Sequence, residues 1–335
     1  MKCINRRILL TVVLSAGLLL SGCGEDVSIE DPYDISTSAT NAKNAMNESG
    51  TELISGSGDA VHFFAENLCV AEEEETQSDA VTSEVVEAAG VFLPTDGTIP
   101  YQKNIYEKMY PASTTKIMTA YLALTRGNPD DIVTVSEHAV DQPSDSSVCG
   151  LRAGDQIKLS DLLYGLMLKS GNDAAIAIAE HISGSVEEFA QLMNDTAHSF
   201  GATNTHFVNP NGLHDDDHYT CVYDLYLIFS HAIELDDFVN LIQTTSYTVY
   251  YTDAAGNDAS QTWTNTNKYL NGEVTQPEGI TVLGGKTGTT NAAGYCLVLL
   301  SDNDKNEPVI SIILRADGRS NLYYVMNQVL ANFAK

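Results

Sequence analysis

The spacing of apolar residues predicts a run of helices in the middle of the chain. Apolar positions recur three and four residues apart with polar residues between them, which is the pattern of an amphipathic helix. The predicted helices cover residues 113–126, 160–169, 173–182, 185–201 and 222–233. The second and third are separated by Ser170-Gly171-Asn172, a sequence that favours a break in a helix.

Runs of β-branched and aromatic residues predict strands on both sides of these helices. They cover residues 85–93 before the helices and residues 246–252, 280–290, 294–300 and 309–314 after them. The short polar link Asn291-Ala292-Ala293 predicts a hairpin, and residues 321–333 predict a closing helix. This order indicates an α+β fold in which the first and last strands lie in one sheet.

The first 22 residues have the pattern of an export signal. Basic residues at positions 2, 6 and 7 precede an apolar run of 13 residues from Ile8 to Leu20, shorter than the roughly 20 residues of a membrane-spanning helix. The junction Leu20-Ser21-Gly22-Cys23 resembles a lipobox, where a bacterial lipoprotein is acylated on cysteine and cleaved just before it. We therefore expect the mature chain to begin at Cys23, held by several acyl chains because one anchors only marginally. An ordinary secretory signal is the alternative.

Residues 23–59 are predicted to form a flexible acidic tether. They are rich in Ser, Asn, Thr, Gly and Asp, and they show no apolar periodicity. Apolar residues soon afterwards place the start of the folded domain, residues 60–335, near residue 60. The acidic run from Glu72 to Glu75 is interpreted as a solvated face or loop, with a cation site as the alternative.

The charge balance excludes one class of partner. The chain has 17 basic and 45 acidic residues, for a formal net charge of −28, and so acidic a chain repels the backbone of a nucleic acid. A hydrophobic fraction of 43% excludes disorder as a description of the whole chain. The cysteines at positions 69, 149, 221 and 296 lack paired spacing and are interpreted as buried free thiols rather than as a metal site or disulfides.

The sequence Ser113-Thr114-Thr115-Lys116 places a hydroxyl and an amine one helical turn apart. Side chains three residues apart lie on one helix face, so the two groups can touch. The start of a helix favours negative charge, which eases ionisation of the hydroxyl. Lys116 can accept the proton if burial or a neighbouring cation lowers the pKa of its amine. Because S-x-x-K is common by chance, the motif carries little weight alone.

Two further motifs make the interpretation of the S-x-x-K motif more specific. Ser170-Gly171-Asn172 lies at the predicted helix break, where it exposes a hydroxyl and an amide. Lys286-Thr287-Gly288 lies within a predicted strand ahead of the hairpin, and Gly288 lets a substrate backbone approach that strand closely. The order, spacing and context of the three motifs are together far more specific than any one of them.

With these motifs the chain resembles the serine-type D-alanyl-D-alanine carboxypeptidases, or low-molecular-mass penicillin-binding proteins. The surrounding stretches at residues 110–120, 170–175, 207–213 and 285–296 are also similar to that family. The resemblance covers about residues 85–335. It implies a β-lactamase/transpeptidase-like fold, with an antiparallel sheet of about five strands flanked by helices and a mostly helical second lobe.

The resemblance also implies the roles of the catalytic residues. Ser113 is expected to be the nucleophile, and Lys116 is expected to be its general base. Ser170 and Asn172 are expected to relay protons and to hold the substrate amide. Lys286 is expected to contribute positive charge that helps to keep Lys116 neutral.

Substrate-binding residues are implied in the same way. The backbone N–H groups of Ser113 and Thr289 are expected to form an oxyanion hole beside Gly288. Thr287 and Arg319 are candidates for binding the terminal carboxylate, with an ordinary surface arginine as the alternative for Arg319. Many members carry an aromatic residue or His at the position of Thr289, a difference that bears on substrate preference rather than on the reaction.

A metal site is the other constellation in the sequence. His206, His214 and His218 lie near three consecutive aspartates, and His214 and His218 could share a helix face. The turn signal Asn209-Pro210-Asn211-Gly212 and the resemblance instead favour a loop that needs no metal. No cofactor is implied.

The sequence therefore predicts a bacterial D-Ala-D-Ala carboxypeptidase (EC 3.4.16.4), lipid-anchored at the outer face of the cytoplasmic membrane, of the Gram-positive type. Peptidoglycan stem pentapeptides are its expected substrate, and β-lactams are expected to acylate Ser113. Many relatives add a C-terminal β-rich domain and a membrane-binding helix, whereas this sequence stops at Lys335, so we expect the lipid to replace them. The alternatives are a serine β-lactamase of the same fold, although no E-x-x-L-N segment lies between Ser170 and Lys286, and a non-catalytic wall-binding lipoprotein.

Overall fold

The computed structural model describes residues 68–71 and 74–335. The predicted export signal, the lipidation site at Cys23 and the tether lie outside these residues, as do the expected domain start near residue 60 and the first half of the acidic run at 72–75. Within the described ranges, no helix is both long enough and apolar enough to cross a bilayer.

The described chain alternates between strands and helices. The strands are β1 (Val86–Leu93), β2 (Thr98–Lys103), β3 (Ile132–Thr134), β4 (Gln156–Lys158), β5 (Ser246–Thr252), β6 (Asp258–Thr264), β7 (Thr281–Thr290), β8 (Gly294–Asp302) and β9 (Pro308–Ala316). The helices are α1 (Lys116–Arg126), α2 (Glu137–Val140), α3 (Leu159–Tyr164), α4 (Asn172–Ser183), α5 (Val186–Ser199), α6 (Val222–Ile233), α7 (Asp236–Gln243) and α8 (Arg319–Phe333). A 3-10 turn at Ala112–Thr115 precedes α1, and a π turn at Gly165–Lys169 follows α3.

Five strands form an antiparallel sheet in the order β2-β1-β9-β8-β7. The early and late strands meet in it, with Ala88 opposite Leu314, as the sequence predicts. β7 and β8 form the predicted hairpin, whose last pair is Thr290 and Gly294. β7 is an edge strand, so its outer side presents backbone groups that can pair with another extended chain.

The five-stranded sheet is covered on both faces. On one face, α8 packs Leu322, Val325 and Met326 into a cluster with Val91 and Ile313. On the other face, α1, α4 and α6 contribute to the larger core of the helical lobe. Because β9 is buried on both faces, its sequence is a nearly continuous apolar run instead of an alternation.

A second sheet of four strands, in the order β3-β4-β5-β6, lies within the helical lobe. Its strand β5 is predicted from the sequence, whereas β3, β4, β6 and the sheet itself are not. The reason is visible in β6, which is polar and buries only Trp263 among its seven residues. The sequence prediction likewise omits β2 and α7.

The predicted helices are confirmed, with altered ends. The helix expected from Ser113 begins as the 3-10 turn, and its α-helical part starts at Lys116. The helix expected from Ser160 widens into the π turn and stops at Ser170, so the predicted break is confirmed. These two irregular ends lie beside β7 and build the site described next.

Candidate active site

The 3-10 turn brings Ser113 and Lys116 into contact. Residues i and i+3 eclipse each other in 3-10 geometry, so the two side chains lie on one side of the turn. Lys116 Nζ is 3.0 Å from Ser113 Oγ. The turn begins at Ala112, whose φ of 50° is in the left-handed region that non-glycine residues rarely adopt. Such backbone strain is concentrated at functional sites.

Lys116 is completely buried, at 0% exposure. Besides Ser113, its Nζ donates to Asn172 Oδ1 at 2.8 Å and to the backbone carbonyl of Asn211 at 2.6 Å. Burial, and to a smaller extent the charge of Lys286, lower the pKa of Lys116 well below its ordinary value. The structure therefore favours a neutral amine against the Ser113 hydroxyl.

Ser170 and Asn172 reach the site because the chain is not helical between the π turn, which ends at Lys169, and α4, which begins at Asn172. Ser170 terminates the π turn with φ 61° and ψ 36°, a left-handed conformation. Asn172 begins α4 two residues later, and its amide oxygen faces Lys116. π turns and left-handed residues both mark functional positions in helices.

Lys286 reaches the site from the opposite wall, on β7. It is 1% exposed, and its Nζ donates to Ser170 Oγ at 3.0 Å and to the carbonyl of Thr287 at 2.8 Å. Burial lowers the pKa of Lys286 to about 7. The cleft thus holds two hydrogen-bonded groups, Lys286 with Ser170 and Lys116 with Ser113 and Asn172.

Gly288 allows β7 to lie directly against the 3-10 turn. A Cβ at this position would be 2.9 Å from the carbonyl oxygen of Pro111 and 3.0 Å from the backbone nitrogen of Ser113. Real Cβ atoms rarely come this close to backbone atoms, so the strand reaches Ser113 only because residue 288 has no side chain. The sequence prediction expected close approach of a substrate here, whereas the neighbour present is the turn itself.

The loop from Asn209 to Leu213 supplies a group that the sequence prediction missed. Asn209 Oδ1 accepts the N–H of Gly212 at 2.7 Å, which folds the loop so that the Asn211 carbonyl points at Lys116. Gly212 has φ 82°, and a Cβ there would be 1.9 Å from the Ala112 carbonyl oxygen. The turn signal was visible in the sequence, but a contact made through a backbone carbonyl leaves no mark on residue type.

A cavity of about 160 Å³ opens on one side of Ser113. Thr287 and Thr266 line it, with their hydroxyl oxygens 2.8 Å apart. Arg319 also lines it, and its guanidinium lies 5.7 Å from the centre of the Tyr295 ring. The structure therefore places Arg319 in the cleft with the K-T-G motif, and it adds Thr266, which had no signal in the sequence. We call this the first cavity.

A second cavity, of about 440 Å³, also borders Ser113. The segment Asp145–Ser147 and residues from the Asn209–Leu213 loop and the β7–β8 turn line it. Thr289 and Ser147 line both cavities. We call it the second cavity.

His218 does not act as a metal ligand in this arrangement. It is buried, its Nδ1 accepts the N–H of Val208 at 3.1 Å, and its Nε2 lies 2.8 Å from Thr115 Oγ1. Burial lowers its pKa to about 3, so the ring is neutral and supports the 3-10 turn. Within the described residues, no group of three or more His, Cys, Asp or Glu side chains is arranged to hold a metal ion. The cysteines at 69, 149, 221 and 296 are buried free thiols, as predicted.

Comparison with known proteins identifies the family. The family model for D-alanyl-D-alanine carboxypeptidases, peptidase family S11, matches residues 76–318. The chain belongs to this family. It is 37% identical over 245 residues to the D-alanyl-D-alanine carboxypeptidase DacF of Bacillus subtilis (strain 168), a match covering 70% of this chain and 59% of that protein.

A second S11 relative is the D-alanyl-D-alanine carboxypeptidase DacA of Haemophilus influenzae, 35% identical over 225 residues that cover 65% of this chain and 54% of that protein. The chain thus spans between half and three fifths of the length of these two curated relatives.

Solved structures of the family have the same fold. The Streptomyces K15 DD-transpeptidase matches with a TM-score of 0.67 at 31% identity, covering 74% of this chain and 97% of that one. The D-alanyl-D-alanine carboxypeptidase DacD of Francisella tularensis matches with a TM-score of 0.65 at 25% identity, covering 78% and 73%. The predicted α+β, transpeptidase-like fold is therefore confirmed.

Proposed function

We propose that this protein is a serine-type D-Ala-D-Ala carboxypeptidase, which removes the terminal D-alanine of peptidoglycan stem pentapeptides through an acyl-enzyme on Ser113. The observation that carries the proposal is the buried Lys116 amine, 3.0 Å from Ser113 Oγ and also bonded to two oxygens that can only accept. Family membership and the K-T-G strand at the cleft edge support the same reaction.

The hydrogen-bond partners of Lys116 suit a neutral amine that accepts a proton. A neutral amine has two N–H bonds and one lone pair. The Asn172 amide oxygen and the Asn211 carbonyl take the two N–H bonds, so the lone pair is left for the third contact, the Ser113 hydroxyl. Ser113 then donates its proton to Lys116 as its oxygen attacks, which is general-base activation of a nucleophile.

In the acylation step, Ser113 Oγ forms a bond to the carbonyl carbon of the penultimate D-alanine, and its proton moves to Lys116 Nζ. We assign the stabilisation of the resulting oxyanion to the backbone N–H groups of Ser113 and Thr289. When the C–N bond breaks, the leaving nitrogen must gain a proton. The Lys116 ammonium supplies that proton and becomes neutral again, and the Ser170 hydroxyl, bonded to Lys286 at 3.0 Å, is suited to relay it.

Deacylation reverses the roles of these groups. A water oxygen attacks the ester carbonyl and its proton is taken up by the regenerated neutral Lys116. Ser113 Oγ leaves and recovers a proton, which completes the cycle with no net change in the enzyme. Through the whole cycle Asn172 holds Lys116 in place.

We assign the terminal carboxylate of the substrate to the first cavity. Arg319 is a permanent cation there, and Thr287 and Thr266 offer hydroxyl donors beside it. The chain as a whole has a net charge of −28, so a cation in the cleft is a selective feature. β-Lactams, which carry an equivalent carboxylate beside a reactive carbonyl, are expected to acylate Ser113 in the same orientation.

The proposal includes a location outside the cytoplasmic membrane. Residues 1–22 would direct export, Cys23 would carry lipid on the outer face of the membrane, and residues 23–59 would let the catalytic domain reach the wall. Incorporation of labelled palmitate that is lost in Cys23→Ala would support this, and equal incorporation in both proteins would contradict it.

The decisive experiment measures D-alanine release from a peptide ending in D-Ala-D-Ala, for wild type, Ser113→Ala and the control Ser199→Ala, an exposed serine on another helix. We expect release by wild type and the control only, and a covalent adduct with labelled penicillin in the same two proteins. Equal release from Ser113→Ala would overturn the mechanism. Rapid turnover of a chromogenic cephalosporin without D-alanine release would instead favour a β-lactamase.

A further inference from the structure

Asp173 is a buried carboxylate that the proposed mechanism does not use. It follows Asn172 directly and is 1% exposed. Among the described residues, no Lys, Arg or His side chain forms an ion pair with it. Burying a carboxylate without a cation is costly unless several hydrogen bonds replace its water. The hydrogen bonds that its carboxylate accepts therefore show which segment of the chain Asp173 holds.

Three consecutive backbone N–H groups converge on this carboxylate. Oδ1 accepts from Cys149 at 2.8 Å, and Oδ2 accepts from Gly150 at 2.9 Å and Leu151 at 3.1 Å. Oδ1 also accepts the N–H of Ala174 at 2.9 Å, which fixes the orientation of the carboxylate on its own helix. The segment 149–151 has no regular structure of its own, so these bonds fix its path.

Two further contacts join the segment around Asp173 to the segment around Cys149. The N–H of Asn172 donates to the Ser147 carbonyl at 2.8 Å. A Cβ at Gly171 would lie 2.3 Å from Cys149 Sγ, so the two segments are as close as they can be. Residues 170–173 and 147–151 are therefore joined by several hydrogen bonds, and the first of these segments carries Asn172, which is bonded to Lys116.

The segment held in this way forms a wall of the second cavity. Asp145, Ser146 and Ser147 line that cavity, whereas Asp173 lines neither cavity. Ser113 borders both. If the terminal carboxylate of the substrate occupies the first cavity, the peptide on the other side of the attacked carbonyl must enter the second. Any effect of Asp173 on that part of the substrate is exerted through residues 145–147.

We propose that Asp173 is a positioning residue that holds residues 145–147 as the donor-side wall of the cleft, and that it thereby sets the preference for peptides with an extended donor side. This inference rests on the proposed carboxypeptidase function. Asp145 and Ser146 line only the second cavity, so a peptide that lacks the residue preceding D-Ala-D-Ala does not reach them, whereas Ser147 also lines the first cavity.

The test compares two variants and two peptides. Asp173→Asn keeps the size of the side chain but turns an NH₂ group toward one set of backbone N–H groups, leaving buried donors unpaired. Asp155→Asn is the matched control, because Asp155 is also 1% exposed and accepts backbone N–H groups of Arg152 and Ala254, away from both cavities. The peptides are diacetyl-L-Lys-D-Ala-D-Ala and acetyl-D-Ala-D-Ala.

We expect Asp173→Asn to lower kcat/KM about tenfold for the longer peptide, with a rise in KM, and less than about threefold for the shorter one. The ratio of the two values should stay at its wild-type level in Asp155→Asn. An unchanged ratio in Asp173→Asn, or the same change in both variants, would overturn the proposal, because general destabilisation affects both peptides alike.

Two further measurements keep the outcome decisive. If Asp173→Asn does not fold, the double variant Asp145→Gly/Ser146→Gly alters the wall at its cavity end, and an unchanged peptide ratio in it overturns the proposal. If wild type releases D-alanine from neither peptide, the proposed function has failed, and the donor-side role fails with it. Amide hydrogen exchange at residues 149–151, which needs no substrate, then decides separately whether Asp173 holds the segment.

Discussion

The sheet side and the helical side of the cleft at Ser113 are built in different ways. On the sheet side, β7 presents Lys286, Thr287 and Gly288 from a stretch paired regularly with β8, beyond a register shift between Val282 and Gly284. On the helical side, each group sits at an irregular point of the chain. Ala112 and Ser170 have positive φ values of 50° and 61°, and the π turn and the Asn209–Leu213 loop complete that wall.

This difference in regularity suits the two sides of the cleft to different tasks. A paired strand places its side chains by register, so it is suited to align an extended substrate and to present charge at a fixed distance. The helical side instead removes Lys116 from water and replaces its solvent by three oxygens from separate segments. A lost contact there leaves a buried polar group unpaired, which costs more than the bond itself contributes.

The largest effect is expected for Lys116→Met, which fills the same space but removes the amine on the helical side. We expect kcat/KM for D-alanine release to fall by about 10³-fold or more, because a general base contributes roughly that much. The control Lys169→Met removes an exposed lysine at the end of the π turn and should leave activity within about twofold. Activity of Lys116→Met within tenfold of wild type would assign the base elsewhere.

Substitutions of Gly288 on the sheet side and of Gly212 on the helical side compare the two sides of the cleft directly. Gly288→Ala should lower kcat/KM by about 10- to 100-fold with a small change in stability, because a shift of a few tenths of an ångström separates β7 from Ser113. Gly212→Ala should instead lower the free energy of unfolding by about 2–4 kcal/mol, since it combines a positive φ with a backbone clash.

The matched control for this pair is Gly256→Ala, where φ is 86° but nothing lies within 4 Å of the added Cβ. It should lower stability by only about 1 kcal/mol in urea unfolding. Equal losses in Gly212→Ala and Gly256→Ala would show that the contact with Ala112 is unimportant.

A smaller effect is expected for Arg319→Gln on the substrate-binding side. Removing the cation from the first cavity should raise KM for the peptide about tenfold with little change in kcat, because a charge-assisted hydrogen bond is lost in both the ground and transition states. Arg315→Gln is the control, since Arg315 is exposed and pairs with Glu87 at 3.1 Å outside the cleft. Similar KM values for the two variants would identify Arg319 as an ordinary surface arginine.

The smallest effect concerns the pH dependence of stability. The pKa of Lys286 is about 7 in the folded protein and about 10.4 when unfolded, so between these values the unfolded chain binds more protons and stability rises with pH. Below pH 7 both states are protonated and the slope vanishes. We expect the unfolding free energy of wild type, relative to Lys286→Met, to rise by about 1–2 kcal/mol between pH 7 and 8.5.

Urea unfolding at the two pH values measures this difference. The buried thiols, whose pKa values burial raises, oppose the trend only near and above pH 8.5 and are present in both proteins. Parallel stability curves for wild type and Lys286→Met would mean that Lys286 keeps its proton in the folded state.

Predictions from the sequence succeeded where the signal was local. The helices around residues 113–126 and 222–233 and the β7–β8 hairpin follow from apolar spacing and turn residues within each segment. The second sheet was missed because β3 and β4 are three residues long, β6 is polar, and β4 meets β5 only across 96 residues of sequence, at Gln156 and Thr252. The same limit applies to Thr266, whose sequence neighbourhood has no feature that marks a cleft residue.

The contact between Ser113 and Lys116 follows from the local sequence, because a separation of three residues in a helical turn allows few other arrangements. The lowered pKa of Lys116 depends instead on the tertiary structure. The two oxygens that accept from its Nζ come from Asn172 and Asn211, which are 56 and 95 residues away, and besides burial the charge of Lys286 on β7 also lowers its pKa. A pKa depends on everything packed around a group, and that environment exists only after the distant segments have met.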